Sequence, residues 1–329
     1  MIRFHDRHNV EQLLDYPGCI AAVRQAMMAF SVDGTPQPLR SIATMARGKL
    51  FAVMPGALVA PKGMGAKIIT AYAEPDQPGR SHHRGIVVLF DRENGEPLAI
   101  GDAGAITLIR TAAASAVATD ALARPDARRA AIFGTGEQAR SHVLAMSHVR
   151  PFEEILIWGR SRASAVTLIE SLKPSLTVPM RFEADAQTAA EAADVICTVT
   201  AAPTPVLRGV WVRPGTHVNI VGSSHAGPVE IDSDLVARAH YVADSRQSAL
   251  VAAAEFLVAK AEGFVGDDHI KAEIGEVLAG TAPGRTSVSA ITIYKSLGHI
   301  VQDLAALTYL DARTISDSAF DAGNTTKRN

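Results

Sequence analysis

Apolar and polar positions change rhythm about a third of the way along the chain. Residues 10–31, VEQLLDYPGCIAAVRQAMMAFS, repeat apolar positions at helical spacing and predict a helix interrupted at Pro17-Gly18. Strand-like runs follow over 50–60, 64–72 and 85–100. In the last of these, Glu93-Asn94-Gly95 lies between two β-rich arms and predicts a hairpin. Residues 104–124 predict a long alanine-rich helix that stops at Pro125. From about Arg128 strands and helices alternate. The pattern predicts strands over 129–134, 154–159, 180–185, 194–200, 217–223 and 240–245, with helices over 137–149, 162–173 and 186–193. Such alternation means βαβ units and a doubly wound parallel sheet of the Rossmann type. Residues 291–310 predict a further helix, and 321–329 read as a frayed tail. There is no internal repeat and no low-complexity linker.

Composition narrows the class. A chain of 329 residues suits two domains, or one domain interrupted by another. At 47% hydrophobic and 20% charged, it can fill a sizeable core. The net charge of -2 offers no basic excess for nucleic acid or an anionic membrane. Cys19 and Cys197 match no metal-ligand spacing and read as buried thiols of a reducing compartment; no metal site is expected. The first residues are charged and lack the apolar core of a signal peptide. No charge-free apolar run reaches about 18 residues. The expectation is a soluble cytoplasmic protein with no membrane and no nucleic-acid partner.

Gly134-Thr135-Gly136-Glu137-Gln138-Ala139 follows a predicted strand and opens a helix. The first glycine allows a tight turn, and the second lets backbone approach a pyrophosphate. The helix start offers free N–H groups, and Ala139 is small enough for helix–strand packing. The alternative is a plain strand–helix turn. At the end of the next strand an NAD site usually carries an acid that binds the ribose 2′-OH. Here the residues are Gly159-Arg160-Ser161-Arg162. Arginine pairs well with a 2′-phosphate, which favours NADP(H). If these arginines are merely solvated, NAD(H) is the other possibility.

Several stretches then carry a resemblance. Met54-Pro55-Gly56, GAKIITAY, GIVVLFDRENGEPLAIGD, RTAAASAVAT, GTGEQA, PGTHVNIVGS with Glu230 eight residues beyond Gly222, and IYKSLGHIVQD occur in this order. From about Arg40 to Asp303 the sequence resembles the ornithine cyclodeaminase/mu-crystallin family. The resemblance implies a homodimer with an α+β substrate and dimerisation domain, 1–127 plus 298–329, and an inserted Rossmann domain, 128–297. It implies NAD(P)-dependent interconversion of imino and amino acids. It also implies cofactor contacts from Thr111, the glycine turn, residues 159–162, Thr200 and Val221-Gly222-Ser223.

Arg110 is a lone charge among small and apolar residues, and a buried charge needs a partner. That partner is a protein carboxylate, such as Asp102 or one that links the domains, or a substrate carboxylate gripped bidentately; the resemblance points to the substrate. Lys67 lies in an apolar strand, either snorkelling at an edge or, as the resemblance implies, in the active site, where a dry lysine can pass a proton. Arg40 matches another carboxylate-binding arginine of the family, or is a surface charge. His83 matches a family histidine; His82 and Arg84 flank it, and Arg84 would suit a second carboxylate. Where the cyclodeaminases carry an aspartate, this chain has Ser224, a poor base, with His225 beside it as a titrating alternative. Leu297 matches a residue that closes over nicotinamide and substrate, or packs as an ordinary apolar side chain. The serine moves the expectation toward reduction of a 2-imino acid, with Δ1-pyrroline-2-carboxylate giving L-proline as the specific case. Behind it stand an acyclic imino-acid reductase or amino-acid dehydrogenase (iminosuccinate or alanine), then ornithine cyclodeaminase, then a non-catalytic ligand binder.

Overall fold

The computed structural model describes residues 2–33, 37–46, 49–60, 62–72, 83–225 and 227–325. The chain divides into two units, Met1–Arg110 with Ile300–Asn329, and Thr111–His299. The first unit opens with β1 (Arg3–His5), α1 (Arg7–Leu13) and α2 (Tyr16–Asp33). Asp6 caps α1 by accepting from Asn9 N (2.8 Å), and Asp15 accepts from Gly18 N (2.8 Å) at the start of α2. The helical stretch therefore breaks just before Pro17, which falls in a first turn where its missing N–H forfeits no bond.

Next come β2 (Ser41–Ala46), β3 (Lys49–Leu58), β4 (Gly63–Tyr72), β5 (His83–Asp91) and β6 (Pro97–Asp102). The sheet order is β1-β6-β5-β4-β3-β2, antiparallel except for the parallel β1–β6 pair. The hairpin expected at Glu93-Asn94-Gly95 joins β5 to β6. Asp91 closes it, accepting from Gly95 N (3.0 Å) and donating to Glu96 O (2.9 Å). The alanine-rich helix is α3 (Ala103–Leu122), capped by Asp102, which accepts from Ala105 N (2.7 Å). The division between units falls inside α3. Among the described residues α3 alone is long and apolar enough to cross a membrane, and 78% of its most apolar window is buried inside the protein.

The second unit alternates as its sequence predicts. It contains β7 (Arg129–Phe133), α4 (Glu137–Met146), β8 (Glu154–Trp158), α5 (Arg162–Leu172), β9 (Met180–Glu183), α6 (Ala186–Ala192), β10 (Val195–Thr198) and β11 (His217–Ile220). It continues with α7 (Ser233–Arg238), β12 (His240–Ala243), α8 (Arg246–Ala252), α9 (Ala254–Ala261), β13 (Ile270–Glu273), α10 (Ile274–Leu278) and β14 (Thr292–Lys295). All eight strands are parallel, in the order β13-β12-β14-β11-β10-β7-β8-β9. β8 and β9 lie to one side of β7 and β10 and β11 to the other, so the β7/β10 boundary is a topological switch point. One core contains Phe133, Ile196, Val218, Ile220, Tyr241, Phe256 and Ile293, all buried.

The helix expected over 291–310 is corrected. Thr292–Lys295 is a strand between β11 and β12, and α11 (Ile300–Thr325) begins only after Gly298, whose φ of +82° breaks the path. Four residues, Thr-Ile-Tyr-Lys, are too few for a strand period to stand out from the helical spacing that follows. The tail expectation also changes: α11 runs on to Thr325, and 326–329 lie outside the described residues. In the first unit α11 packs across β3, β4, β5 and β6.

Candidate active site

The glycine turn sits where β7 gives way to α4. Gly134 N donates to Trp158 O (2.9 Å). Its φ is +139°, and a Cβ there would stand 2.9 Å from Val199 Cγ2, so only glycine fits without strain. Gly136 is the N-cap of α4; no side chain caps it, and a Cβ would meet nothing within 4 Å. The first N–H groups of α4 are thus left for an anion, and backbone can approach it closely. Ala139 is fully buried. Around the turn is a cavity of about 550 Å³, lined by Gly134, Thr135, Gly136, Trp158, Gly159, Arg160 and the segment from Val199 to Thr204. It lies at the C-terminal ends of β7, β8 and β10, where dinucleotides bind such sheets.

The residues after β8 divide the work. Arg160 lines the cavity and makes no hydrogen bond or ion pair with any described residue. Ser161 caps α5, its Oγ accepting from Ser164 N (3.2 Å) and Ser164 Oγ (3.1 Å), which leaves its O–H to donate. Arg162 instead lies 5.9 Å from the Phe182 ring centroid. The uncapped helix start beside this cavity fits the pyrophosphate of a dinucleotide. Gln138 adds a buried Oε1 with no partner among the described residues, while Glu137 is exposed. Thr111 is buried, and its hydroxyl makes no hydrogen bond with a described residue.

A buried polar network fixes the turns after β10 and β11. Glu230 has no exposed surface. It accepts from Thr198 Oγ1 (2.9 Å), Thr200 N (2.6 Å), Thr200 Oγ1 (2.8 Å) and Gly222 N (2.7 Å). Burial raises its pKa against these bonds. A Cβ on Gly222 would lie 1.8 Å from Thr200 O, so the two turns touch backbone to backbone. Next to Glu230, the ammonium of Lys295 donates to Ser223 O, Ser223 Oγ and Glu255 Oε2 at 2.7, 2.6 and 2.8 Å. Ser223 Oγ donates to Glu255 Oε1, which also accepts from Glu230 N. Val221 and Ser223 are buried, Ser224 is half-buried and His225 exposed. Leu297 belongs to the hydrophobic core, and its N–H and that of Gly298 donate to Asp244 Oδ2, each at 2.7 Å.

In the first unit Lys67 and Arg110 meet on a residue the sequence reading did not single out. Asp303 of α11 is fully buried, and its Oδ1 accepts from Lys67 Nζ (3.1 Å) and Arg110 Nε (3.0 Å). Arg110 Nη1 donates to Gln302 Oε1 (2.7 Å), and Lys67 Nζ also donates to Thr107 Oγ1 (2.5 Å). Arg110 Nη2 makes no hydrogen bond with a described residue. Burial, partly offset by Asp303 and reinforced by Arg110 and Arg40, lowers the Lys67 pKa to about 8. Against the pull of burial, Arg110 and Lys67 hold Asp303 below its ordinary value. Asp102 is not the partner of Arg110: it caps α3 two turns away, about 12 Å along the helix.

Arg40 is half-buried, and its charge reaches Lys67. Arg84 is exposed on β5, opposite Thr70. His83 opens β5 opposite Ala71; His82 lies outside the described residues.

The model of the ornithine cyclodeaminase/mu-crystallin family matches residues 2–318. The chain belongs to this family. It is 33% identical over 306 residues to a Δ1-pyrroline-2-carboxylate reductase of Bacillus cereus, covering 92% of this chain and 94% of that one. It is 36% identical over 274 residues to the ketimine reductase mu-crystallin of Mus musculus, 83% of each. A solved structure of the Thermococcus litoralis Δ1-pyrroline-2-carboxylate reductase, in complex with NADH and L-proline, superposes with a TM-score of 0.91. That match has 30% identity and covers 96% of this chain and 98% of that one.

Some residues without an assigned role in the Sequence analysis are marked by their environment. Asp303, Gln302 and Thr107 complete the cation cluster, and Glu255 completes the network under Ser223. The signal for Asp303 lay in the sequence as a single acid within the apolar run HIVQDLAAL.

Proposed function

We propose that this protein is an NAD(P)H-dependent reductase of a small 2-imino acid, with Δ1-pyrroline-2-carboxylate, which gives L-proline, as the leading substrate. The observation that carries the reading is the Lys67–Asp303–Arg110 cluster. It holds two cations against one carboxylate, an excess of positive charge that a substrate carboxylate would balance. Arg110 Nη2 is uncommitted and suits that carboxylate. Lys67 is mostly protonated below pH 8 and can supply a proton as an imine nitrogen becomes an amine. When bound, the nicotinamide supplies the hydride. Gly134, Gly136 and the start of α4 would hold its pyrophosphate.

NADPH is the cofactor we favour, because Arg160 is uncommitted and Ser161 has a donor to spare. NADH, which the Thermococcus litoralis relative binds, is the alternative. Ser224 can orient a water or an iminium, and His225 stands next to it in the chain. Neither offers the carboxylate that amine expulsion uses, which supports reduction over cyclodeamination. We read the enzyme as a cytoplasmic homodimer. Supporting the dimer, all six residues of the edge strand β2 are exposed, including Ile42 and Met45.

The test is a panel of cyclic and acyclic imino acids, with one and two carboxylates, mixed with NADPH or NADH and followed by absorbance of the reduced cofactor. Oxidation with cyclic substrates is expected, and Lys67→Met should lower kcat by roughly 10²–10⁴-fold. Tight NADPH binding with no turnover across the panel would replace the reading with ligand binding. Ammonia release from ornithine would replace it with cyclodeamination.

A further inference from the structure

One oxygen, Asp303 Oδ1, sets the spacing of two cations that come from different elements, Lys67 on β4 and Arg110 on α3. Both cations are about 4% exposed and the carboxylate is fully buried. Without it, two like charges would share a dry site with no counter-charge. The neighbours of the cluster are neutral supports. Thr107 accepts from Lys67 and donates its own O–H to Ala103 O (2.5 Å), so it orients the ammonium without altering its charge. Gln302 holds the far side of Arg110.

We propose that Asp303 is a positioning residue that keeps Lys67 protonated and aimed, and so sets the pH range over which the enzyme can deliver a proton to the imine nitrogen. This deepens the reductase reading and rests on it. The charged groups that bear on Lys67 are Asp303 from α11, Arg110 from α3 and Arg40 from the segment before β2. Cys19 of α2 feels Arg110 and Asp303, but burial pushes its thiol up and keeps it neutral. Asp303 stays ionised near neutral pH, so Lys67 is the member of the cluster that titrates there. A second observation argues for more than a static ion pair: Asp303 Oδ2 is buried with no partner among the described residues. Buried carboxylate oxygens are ordinarily satisfied, so an acceptor is left for a substrate N–H or a water.

The test has two readouts, and the first needs no substrate. Lys67 is titrated by NMR of protein labelled at the lysine ε-carbon, its resonance assigned by its loss in Lys67→Met. The wild-type midpoint should lie near 8. In Asp303→Asn it should fall by about one to two pH units, and in Asp303→Glu it should stay near the wild-type value. The second readout is the alkaline limb of kcat/KM for imine reduction, which should move with the midpoint. Near neutral pH the Asn variant should lose roughly two- to tenfold in rate and regain it as the pH is lowered. A folded Asp303→Asn protein with an unmoved midpoint would overturn the proposal. If that variant does not fold, Asp303→Glu decides: a limb near 8 supports the proposal, and a limb lower by one pH unit or more refutes it. A wild type that reduces no imine would remove the reductase reading, while the NMR midpoints would still judge the coupling of Asp303 to Lys67.

Discussion

Lys295 offers a sharp test of what holds the turn after β11. It has no exposed surface, and its ammonium makes three hydrogen bonds, two to Ser223 and one to Glu255. Lys295→Met keeps most of the side-chain volume and removes the charge. Glu255 is then a buried carboxylate left with the Ser223 hydroxyl and Glu230 N–H. Breaking a buried pair from one side costs about 3–5 kcal/mol, because the surviving charge has no counter-charge. Removing both charges in Lys295→Met/Glu255→Gln relieves that penalty. The double variant should therefore cost less than the sum of the singles, by roughly 1–3 kcal/mol. The chain has two tryptophans, Trp158 and Trp211, and both lie in the second unit. Tryptophan fluorescence during urea unfolding thus reports that unit. The same variants should weaken NADPH binding, measured by quenching of Trp158, which lines the cavity. A single-variant cost below about 1 kcal/mol, or strictly additive singles, would refute the idea that this pair holds the turn.

The remaining predictions concern the cofactor turn and the buried histidines. Arg160→Ser should weaken NADPH binding about tenfold and leave NADH nearly unchanged; equal losses for both would exclude a 2′-phosphate role. Gly222→Ala drives a Cβ into Thr200 O and should destabilise the second unit by about 1–3 kcal/mol, read from the same urea midpoints. Burial lowers His142 to about 4 and His217 to about 3, so both are neutral at pH 7. Between the ordinary histidine value and these values, the unfolded chain takes up protons that the folded chain refuses, so stability falls as the pH falls. The unfolding free energy from urea titrations should drop from about pH 6 downward, by up to roughly 1.4 kcal/mol per pH unit for each histidine, and more shallowly in His142→Gln.

Much of the second unit was legible because buried parallel strands between amphipathic helices leave their periods in one dimension. The glycine turn was legible because its chemistry is local to six residues. What escaped was either too short or non-local. β1 and β13 have three and four residues, and β2 is exposed along its whole length, so it has no buried face for an alternating pattern to mark. β14 was hidden inside a stretch whose apolar residues recur at roughly helical spacing and that joins it to α11. Its place between β11 and β12 depends on pairings that no local pattern encodes.

The cation cluster lies between these cases. Arg110 is a charge that an alanine-rich helix cannot leave unpaired, and the sequence names one protein acid for it, Asp102, beside a domain-linking or a substrate carboxylate. Asp102 is excluded by geometry, since α3 carries it two turns away and spends it on the cap. The same desolvation argument applies with equal force to Asp303, a lone acid among Ile300, Val301, Leu304 and Leu307, all buried. Two opposite charges, each untenable in its own helix, are natural partners whatever separates them along the chain, here 193 positions. Lys67 then follows as a third isolated charge in an apolar strand. Three such charges cannot all cancel: two cations and one anion leave a positive excess in a dry site. Folding stability alone would favour a neutral core there, so the retained excess is the physical reason to expect an anionic ligand at this cluster.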